Sequence, residues 1–410
     1  YTTSIEVGDK TIKLEVGKYS EQTSAAILAT CGETVAHVTI AVGGVSSLDY
    51  FPLSVEFAEK LYAGGRIKGS RWVKRDGRPT DEAILKGRLI DRSIRPLFPN
   101  GLKREVQVVA TVLSVDGEND ADMIAITAVM AGLTISSIPW NGPLAGVRIA
   151  KKADGTLIYN PTYTERADAI LDLVLSGNEQ GMVMVEAGAL EVSEQELIEI
   201  FSKTLEVFGK ICSAINKMAE DIGKEKLAFT PPVEKTELIA YLANKYSNEV
   251  KTFTKHKALL EPTGLEVLIQ QILKEVEEQG DKAPAELASA SAWDLKETFE
   301  LLIKKEARRQ TLEDRVRPDG RAMDEIRELI TEVDLLPRPH GSAMFKRGST
   351  QVLSITTLGA PSLGQIIEDM EGEETKHFIH HYAMPPYAAG EAGRIGPPKR
   401  REVGHGALAE

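Results

Sequence analysis

The strongest constraint on the fold is an internal repeat. Cys31-Gly32-Glu33-Thr34 precedes one β-branched run, and Arg347-Gly348-Ser349-Thr350 precedes another, 316 positions on (31 to 347). Tyr62-Ala63-Gly64-Gly65-Arg66-Ile67 finds its echo in Tyr387-Ala388-Ala389-Gly390 followed by Gly393-Arg394-Ile395. Each copy then reaches a basic cluster, Lys74-Arg75 or Lys399-Arg400-Arg401, and each cluster leads into a helical pattern. One such match is weak, but their shared order makes chance a poor explanation. The chain reads as two copies of one α+β domain.

The stretch between the copies differs in kind. The first region alternates β-patterned runs (11–16, 35–42, 106–115, 144–150, 156–159, 168–176, 181–187) with helical spacing at 80–98, 121–133 and 193–222. Thr230-Pro231-Pro232 marks a break. Beyond it, Leu265–Glu278 and Ala292–Arg309 carry apolar residues at i, i+3 and i+4, which predicts an all-helical segment. Strand patterning returns at 331–336, 342–346 and 351–357. The expected domains are therefore 1–228, 229–313 and 314–410. The last residues, Ala407 to Glu410, read as the opening of a helix with no cap, Gly or Pro to end it, so the natural chain is expected to continue and the second copy to be cut short.

Composition excludes some classes. No run of about 18 apolar residues occurs, so a membrane-spanning helix is excluded. Two cysteines, Cys31 and Cys212, are too few for a disulfide framework or a cysteine-based zinc site. With no signal-like start, they favour a reducing, cytoplasmic setting. A net charge of −12 argues against a uniformly basic nucleic-acid binder but leaves local basic patches open.

Seven strings stand out: AGGRIKGS at 63–70, RLIDRSIRPLFP at 88–99, SVDGEND at 114–120, IPWNGPLAGVRI at 138–149, RPDGR at 317–321, HYAMPPYAAGEAG at 381–393 and KRREVGHGALAE at 399–410. In sequence and order, over essentially the whole chain, they resemble the motifs of the polynucleotide phosphorylase (polyribonucleotide nucleotidyltransferase) family. The resemblance implies two ribonuclease-PH-like domains (ribosomal-protein-S5-domain-2-like, β-sheets with packed helices) joined by an all-helical domain, in a ring-shaped homotrimer. It implies processive 3′→5′ phosphorolysis of single-stranded RNA to nucleoside diphosphates, reversibly, with inorganic phosphate as co-substrate and Mg²⁺. RNA-degradation complex partners are left open. The family's KH and OB-type RNA-binding domains have no counterpart in these residues. Its serine-rich phosphate-binding segment and metal-binding aspartates fall beyond Glu410, so no metal ligand is assigned within the chain, which is expected to be inactive alone.

Phosphorolysis sets a phosphate dianion against a phosphodiester, a task suited to guanidinium groups. On the residues alone, Lys399-Arg400-Arg401 is more simply a solvated basic run. The resemblance reverses this, because Arg400 and Arg401 fall on the family's active-site arginine pair, with Gly404 and Gly406 permitting close backbone approach. His405 is a candidate proton donor or orienter, with a packed histidine as the alternative. Trp72 with Arg71, Lys74, Arg75 and Arg78 makes a basic loop around an aromatic, the pattern of single-stranded RNA binding. The alternative there is a core tryptophan with solvated charges.

Other residues have blander readings. Cys31 stands where the second copy has Arg347, which suggests a first copy that does not catalyse. Arg88, Arg92 and Arg95 share a helix face and divide between ion pairs, with Asp91 as one partner, and RNA contacts. Glu368, Asp369, Glu371, Glu373 and Glu374 read as a solvated acidic loop. A non-catalytic RNA-binding ring scaffold is the alternative function; a single-copy ribonuclease PH and a hydrolytic nuclease fit less well.

Overall fold

The computed structural model describes residues 1–46, 48, 50–69, 77–231, 235–254 and 263–410. Two compact units emerge, residues 1–232 with 360–410, and residues 233–359. The expected third domain, 314–410, is thus shared between the two units.

In the first unit a six-stranded sheet has the order β1-β2-β3-β4-β6-β5. Its strands are β1 (Thr2–Val7), β2 (Lys10–Val16), β3 (Ala25–Cys31), β4 (Thr34–Val45), β5 (Leu53–Ala58) and β6 (Arg104–Ser114). Only β5 and β6 run parallel. A second, antiparallel sheet has the order β10-β9-β7-β8, from β7 (Ala145–Lys152), β8 (Leu157–Tyr159), β9 (Ala169–Asn178) and β10 (Gly181–Ala189).

Helices α1 (Asp81–Ile94), α2 (Ala121–Ile135) and α4 (Glu194–Ile222) each touch both sheets, and a one-turn helix α3 (Tyr163–Arg166) precedes β9. In α2 every residue but Thr134 is buried. A helix without a polar face must be covered all round, and β3, β4, β7, α1 and α4 cover it. Its C-terminal carbonyls are met by Lys226, whose Nζ donates to the oxygens of Leu133, Thr134 and Ser136 at 2.7–2.9 Å.

The second unit holds α5 (Thr236–Lys245), α6 (Ser247–Phe253), α7 (Thr263–Gln279), α8 (Ala285–Ala288) and α9 (Ala292–Arg309). They share a core that includes Leu242, Ile272, Phe299 and Leu302. The apolar spacing that predicted helices at 265–278 and 292–309 lands inside α7 and α9. Ser291 and Asp294 form a reciprocal cap at the start of α9. Arg317–Arg321 is a turn: Gly320 has φ 78° and the Arg321 Nε donates to Asp319 at 2.7 Å. A three-stranded sheet follows, β11 (Leu329–Val333), β12 (Gly341–Arg347) and β13 (Thr350–Thr356). β11 starts earlier than expected and stops at Asp334, whose φ is 57°. Phe345 and Val352 on one face of this sheet and Leu353 and Ile355 on the other are exposed.

Residues 360–410 return to the first unit with β14 (Gln365–Glu368), β15 (Glu373–Lys376) and α10 (Arg400–Ala409). Met370, in the turn between β14 and β15, is 2% exposed and belongs to the first unit's core. Helix α10 packs on α1.

The repeat is visible in the backbone. Cys31 pairs with Thr34 and Arg347 with Thr350 across tight turns in which Gly32 and Gly348 have φ of 58° and 61°. Short 3-10 turns, Leu61–Gly64 and Pro386–Ala389, each end on a left-handed glycine, Gly65 or Gly390. Gly87 of α1 lies over the backbone of Val55 and Phe57, and Gly406 of α10 lies over that of His380 and Tyr382. This puts the two helices in register.

Asp116 ties the β3–β4 turn to the start of α2. Its carboxylate accepts from the main-chain N–H groups of Glu33, Glu118 and Asn119 and from the Asn119 side chain, at 2.7–3.1 Å. Burial alone would raise its pKa, but these bonds hold it far below the usual carboxylate range. Replacing it by Asn turns one acceptor oxygen into a donor, so Asp116→Asn should cost about 1–3 kcal/mol in urea denaturation. A lowered folded pKa gives stability that is present above the unfolded value and lost on acidification. The gap between wild type and variant should therefore hold steady above about pH 5 and shrink below about pH 4.

Candidate functional site

Helix α10 carries the predicted catalytic trio in its first two turns. Arg400 and Arg401 are its first two residues, and His405 lies one turn after Arg401 on the same face. Glu402 is committed to backbone, accepting from the N–H groups of Lys399 and Met384 at 2.8 Å each. Cations at a helix N-terminus oppose the macrodipole, by about 0.3–1 kcal/mol each at an exposed site. The arrangement therefore favours an incoming anion.

The two arginines do different things. Arg400 pins the helix to the first copy, donating to the Val55 carbonyl and forming an ion pair with Glu56. Arg401 is exposed. His405 stacks at a tilt against Tyr382, with ring centroids 5.2 Å apart, a contact that suits the packed alternative for this residue. The glycines expected to admit a ligand meet protein instead. A Cβ on Gly404 would lie 2.6 Å from Arg88 Nε, and one on Gly406 would lie 3.4 Å from backbone atoms of His380 and Tyr382.

In register with α10, α1 has Asp81 and Glu82 where α10 has Arg400 and Arg401, and Lys86 where α10 has His405. Lys86 pairs with buried Glu59 at 2.9 Å, and Thr80 Oγ1 donates to the same carboxylate at 2.7 Å while capping α1. Burial works against the Lys86 ammonium, but Glu59 and Asp122 raise its pKa above the ordinary lysine value. Burial also raises the Glu82 carboxyl. Reading the repeat for its glycines and basic clusters missed this reversal; aligning the helices on Gly87 and Gly406 reveals it.

Near Cys31, a cavity of about 10 Å³ lined by Lys10, Ile12, Asn119 and Asp120 admits no more than one water. Burial and Asp116 raise the Cys31 thiol, and burial pushes Cys212 up to about 12, as befits inert buried thiols. Asp120 is pushed up to about 6 by burial and by Asp122, against the pull of its partners Arg148 and Arg166.

Arg88, Arg92 and Arg95 each make a contact within the protein. Arg95 holds Asp91 through two bonds of 2.6 Å, Arg92 pairs with Glu186, and Arg88 reaches the Arg400 carbonyl at 3.5 Å. Of the predicted RNA loop, Arg71, Trp72, Lys74 and Arg75 lie outside the described residues, and Arg78 is exposed. The acidic segment is not simply solvated. Asp369 closes its own turn by accepting from the N–H groups of Glu371 and Gly372 at 2.8 Å, and Glu368 and Glu371 bond to the first copy. Among the described residues no three His, Cys, Asp or Glu side chains are grouped to hold a metal ion, and no helix is long and apolar enough to cross a membrane.

Fold and register thus define a duplicated α+β protein whose copies meet through equivalent helices with opposite charges at their first two positions. Residues 8–139 and 325–410 match the 3′ exoribonuclease family, domain 1, and residues 142–206 match its domain 2. The chain belongs to the 3′ exoribonuclease family. It is 42% identical over 418 residues to the polyribonucleotide nucleotidyltransferase of Chloroflexus aurantiacus, covering 100% of this chain and 54% of that protein. Relatives of the same name from Thermomicrobium roseum (41% over 416 residues, covering 99% and 52%) and Finegoldia magna (41% over 405, covering 98% and 55%) match similarly. The chain therefore spans about half the length of the curated relatives it matches. The crystal structure of rice (Oryza sativa) Rrp46 superposes on 51% of this chain and 92% of its own at a TM-score of 0.40 and 12% identity, too distant to argue from.

Different contacts make the two arginines separable. Arg400→Ala should lower stability to urea by about 1–2 kcal/mol through loss of its charge-assisted bonds, whereas Arg401→Ala should stay within about 0.5 kcal/mol of wild type.

Proposed function

We propose that this chain is the N-terminal portion of an enzyme that degrades single-stranded RNA by processive 3′→5′ phosphorolysis, releasing nucleoside diphosphates and able to run in reverse. The observation that carries this reading is the charge reversal between equivalent helices. Arg400 and Arg401 open α10 where Asp81 and Glu82 open α1, while His405 of α10 takes the place of Lys86. The relatives named polyribonucleotide nucleotidyltransferase support it.

In this reading the second copy is catalytic and the first is not. Arg401 holds inorganic phosphate or the RNA backbone at the positive end of α10. Arg400 fixes that helix against the first copy and leaves its remaining donors for the same anion. His405 orients or supplies a proton at the leaving oxygen, with Tyr382 setting its ring. A magnesium ion would stabilise the developing charge. As the family resemblance implies, its ligands belong to this proposal as residues beyond Glu410, and no step is derived through it. The basic stretch with Arg71, Trp72, Lys74, Arg75 and Arg78 holds RNA entering a ring of three subunits in the cytoplasm.

The test is a product assay on this chain and on a version extended at its C-terminus, each with oligo(A) and Mg²⁺, with and without inorganic phosphate. Phosphate-dependent ADP from the extended chain, lost on Arg401→Ala, is the expected result. AMP released without phosphate would overturn phosphorolysis in favour of hydrolysis. RNA binding with no product from either chain would leave a scaffold.

A further inference from the structure

Arg88, Arg92 and Arg95 follow one another along α1 and its end, and their contacts set them apart. Arg95 is committed to structure: it holds Asp91 through two bonds of 2.6 Å and reaches the carbonyls of Phe51 and Leu53 at 3.4 and 3.2 Å. Arg88, at the other end of the row, lies against the opening of α10. A Cβ on Gly404 would sit 2.6 Å from its Nε, and its Nη1 donates to the Arg400 carbonyl at 3.5 Å. Arg92 follows one helical turn later, about 5.4 Å along the axis, and forms an ion pair with Glu186 of β10. The row thus continues the cationic start of α10 along α1, and Glu186 is a carboxylate set into it.

Two observations separate this pair from a tie that holds the fold. Its side chains are 46% and 53% exposed, and an ion pair so open to water contributes little to stability. The Lys86–Glu59 pair of the same helix is the contrast, with side chains 18% and 7% exposed and the Thr80 hydroxyl on the same carboxylate. Secondly, β10 is an edge strand that pairs with β9, and every residue from Val185 to Leu190 is exposed. The Glu186 carboxylate can therefore turn into solvent without uncovering any core residue.

We propose that Glu186 is a displaceable counter-ion for the RNA backbone. In the free protein it occupies the Arg92 guanidinium. A phosphodiester passing from α10 along α1 takes its place, because the same planar fork suits a carboxylate and a phosphate. The exchange makes the grip of α1 on a strand weaker than its cations alone would give, so Glu186 sets binding strength without touching the reacting atoms. The inference rests on the RNA-binding reading above and deepens it by naming what competes with RNA at α1.

The experiment measures binding of fluorescein-labelled oligo(A) to residues 1–410 by anisotropy over a range of salt. It compares wild type, Glu186→Gln, Arg92→Gln and the double variant, with a urea curve for each. Glu186→Gln keeps the side chain's size and removes its charge. It should tighten binding about threefold, the strength of a half-exposed ion pair, and leave the urea midpoint in place. That gain should fade at high salt, where the pair is screened. Arg92→Gln should weaken binding and flatten the slope of log Kd against log salt by about 0.7, one phosphate contact on a single strand. Added to Arg92→Gln, the change at Glu186 should leave Kd as it is, since the pair is already gone. A Glu186→Gln chain that binds no better, or that unfolds at lower urea, would make the pair a structural tie and overturn the proposal. Equal tightening with and without Arg92 would also overturn it, by showing a carboxylate that repels RNA at a distance. A wild-type chain that does not bind oligo(A) at any salt would overturn the RNA-binding reading itself, and the counter-ion with it.

Discussion

The first unit is organised around a helix that has no side to offer water. Because α2 is buried on every face and carries only Asp122, Thr127 and Thr134 as polar residues, it cannot sit at a surface, and two sheets with α1 and α4 close around it. The loop before α2 must then be held tightly, and Asp116, within that loop, does so by accepting from the N–H groups of Glu33 in the β3–β4 turn and of Asn119. The edge strand β5 and the outer side of α1 remain for other work, and it is there that α10 docks, while the β14–β15 hairpin bonds to Arg66, Gly69 and Tyr163.

Duplication gives a chain two equivalent helices and no obligation to keep them alike. In one, a lysine is sealed under a glutamate and a threonine cap; in the other, arginines stand at the positive end of the helix. The first arrangement satisfies itself, while the second is electrostatically incomplete. Arg400 shows how closely the copies depend on each other, since it joins the start of α10 to β5.

Much of this was legible beforehand. The turn glycines Gly32, Gly65, Gly348 and Gly390 exposed the repeat because positive φ demands them. Regular apolar spacing marked α4, α7 and α9 because each buries a single stripe. The hairpin at 365–376 escaped notice because its many carboxylates suggest solvent, and one buried residue, Met370, leaves no periodic trace. The first turn of α10 was read as a basic cluster ahead of a helix, since arginines are poor residues for a helix start. Nor does sequence show that Arg400 spends its hydrogen bonds on Val55 and Glu56, because partners more than three hundred residues apart leave no local pattern.

The small sheet of β11, β12 and β13 has a practical consequence. In the first copy, the face carrying Ala29, Ala36 and Val38 lies under α2 and is fully buried. In the second, Phe345 and Val352 occupy that face in the open, and Leu353 and Ile355 expose the reverse. Strands that are apolar on both sides, with unpaired edges, are templates for adding further strands. Handled as residues 1–410, the protein carries its own seed for aggregation. Low concentration, or a polar change at Val352, is the first remedy when it precipitates.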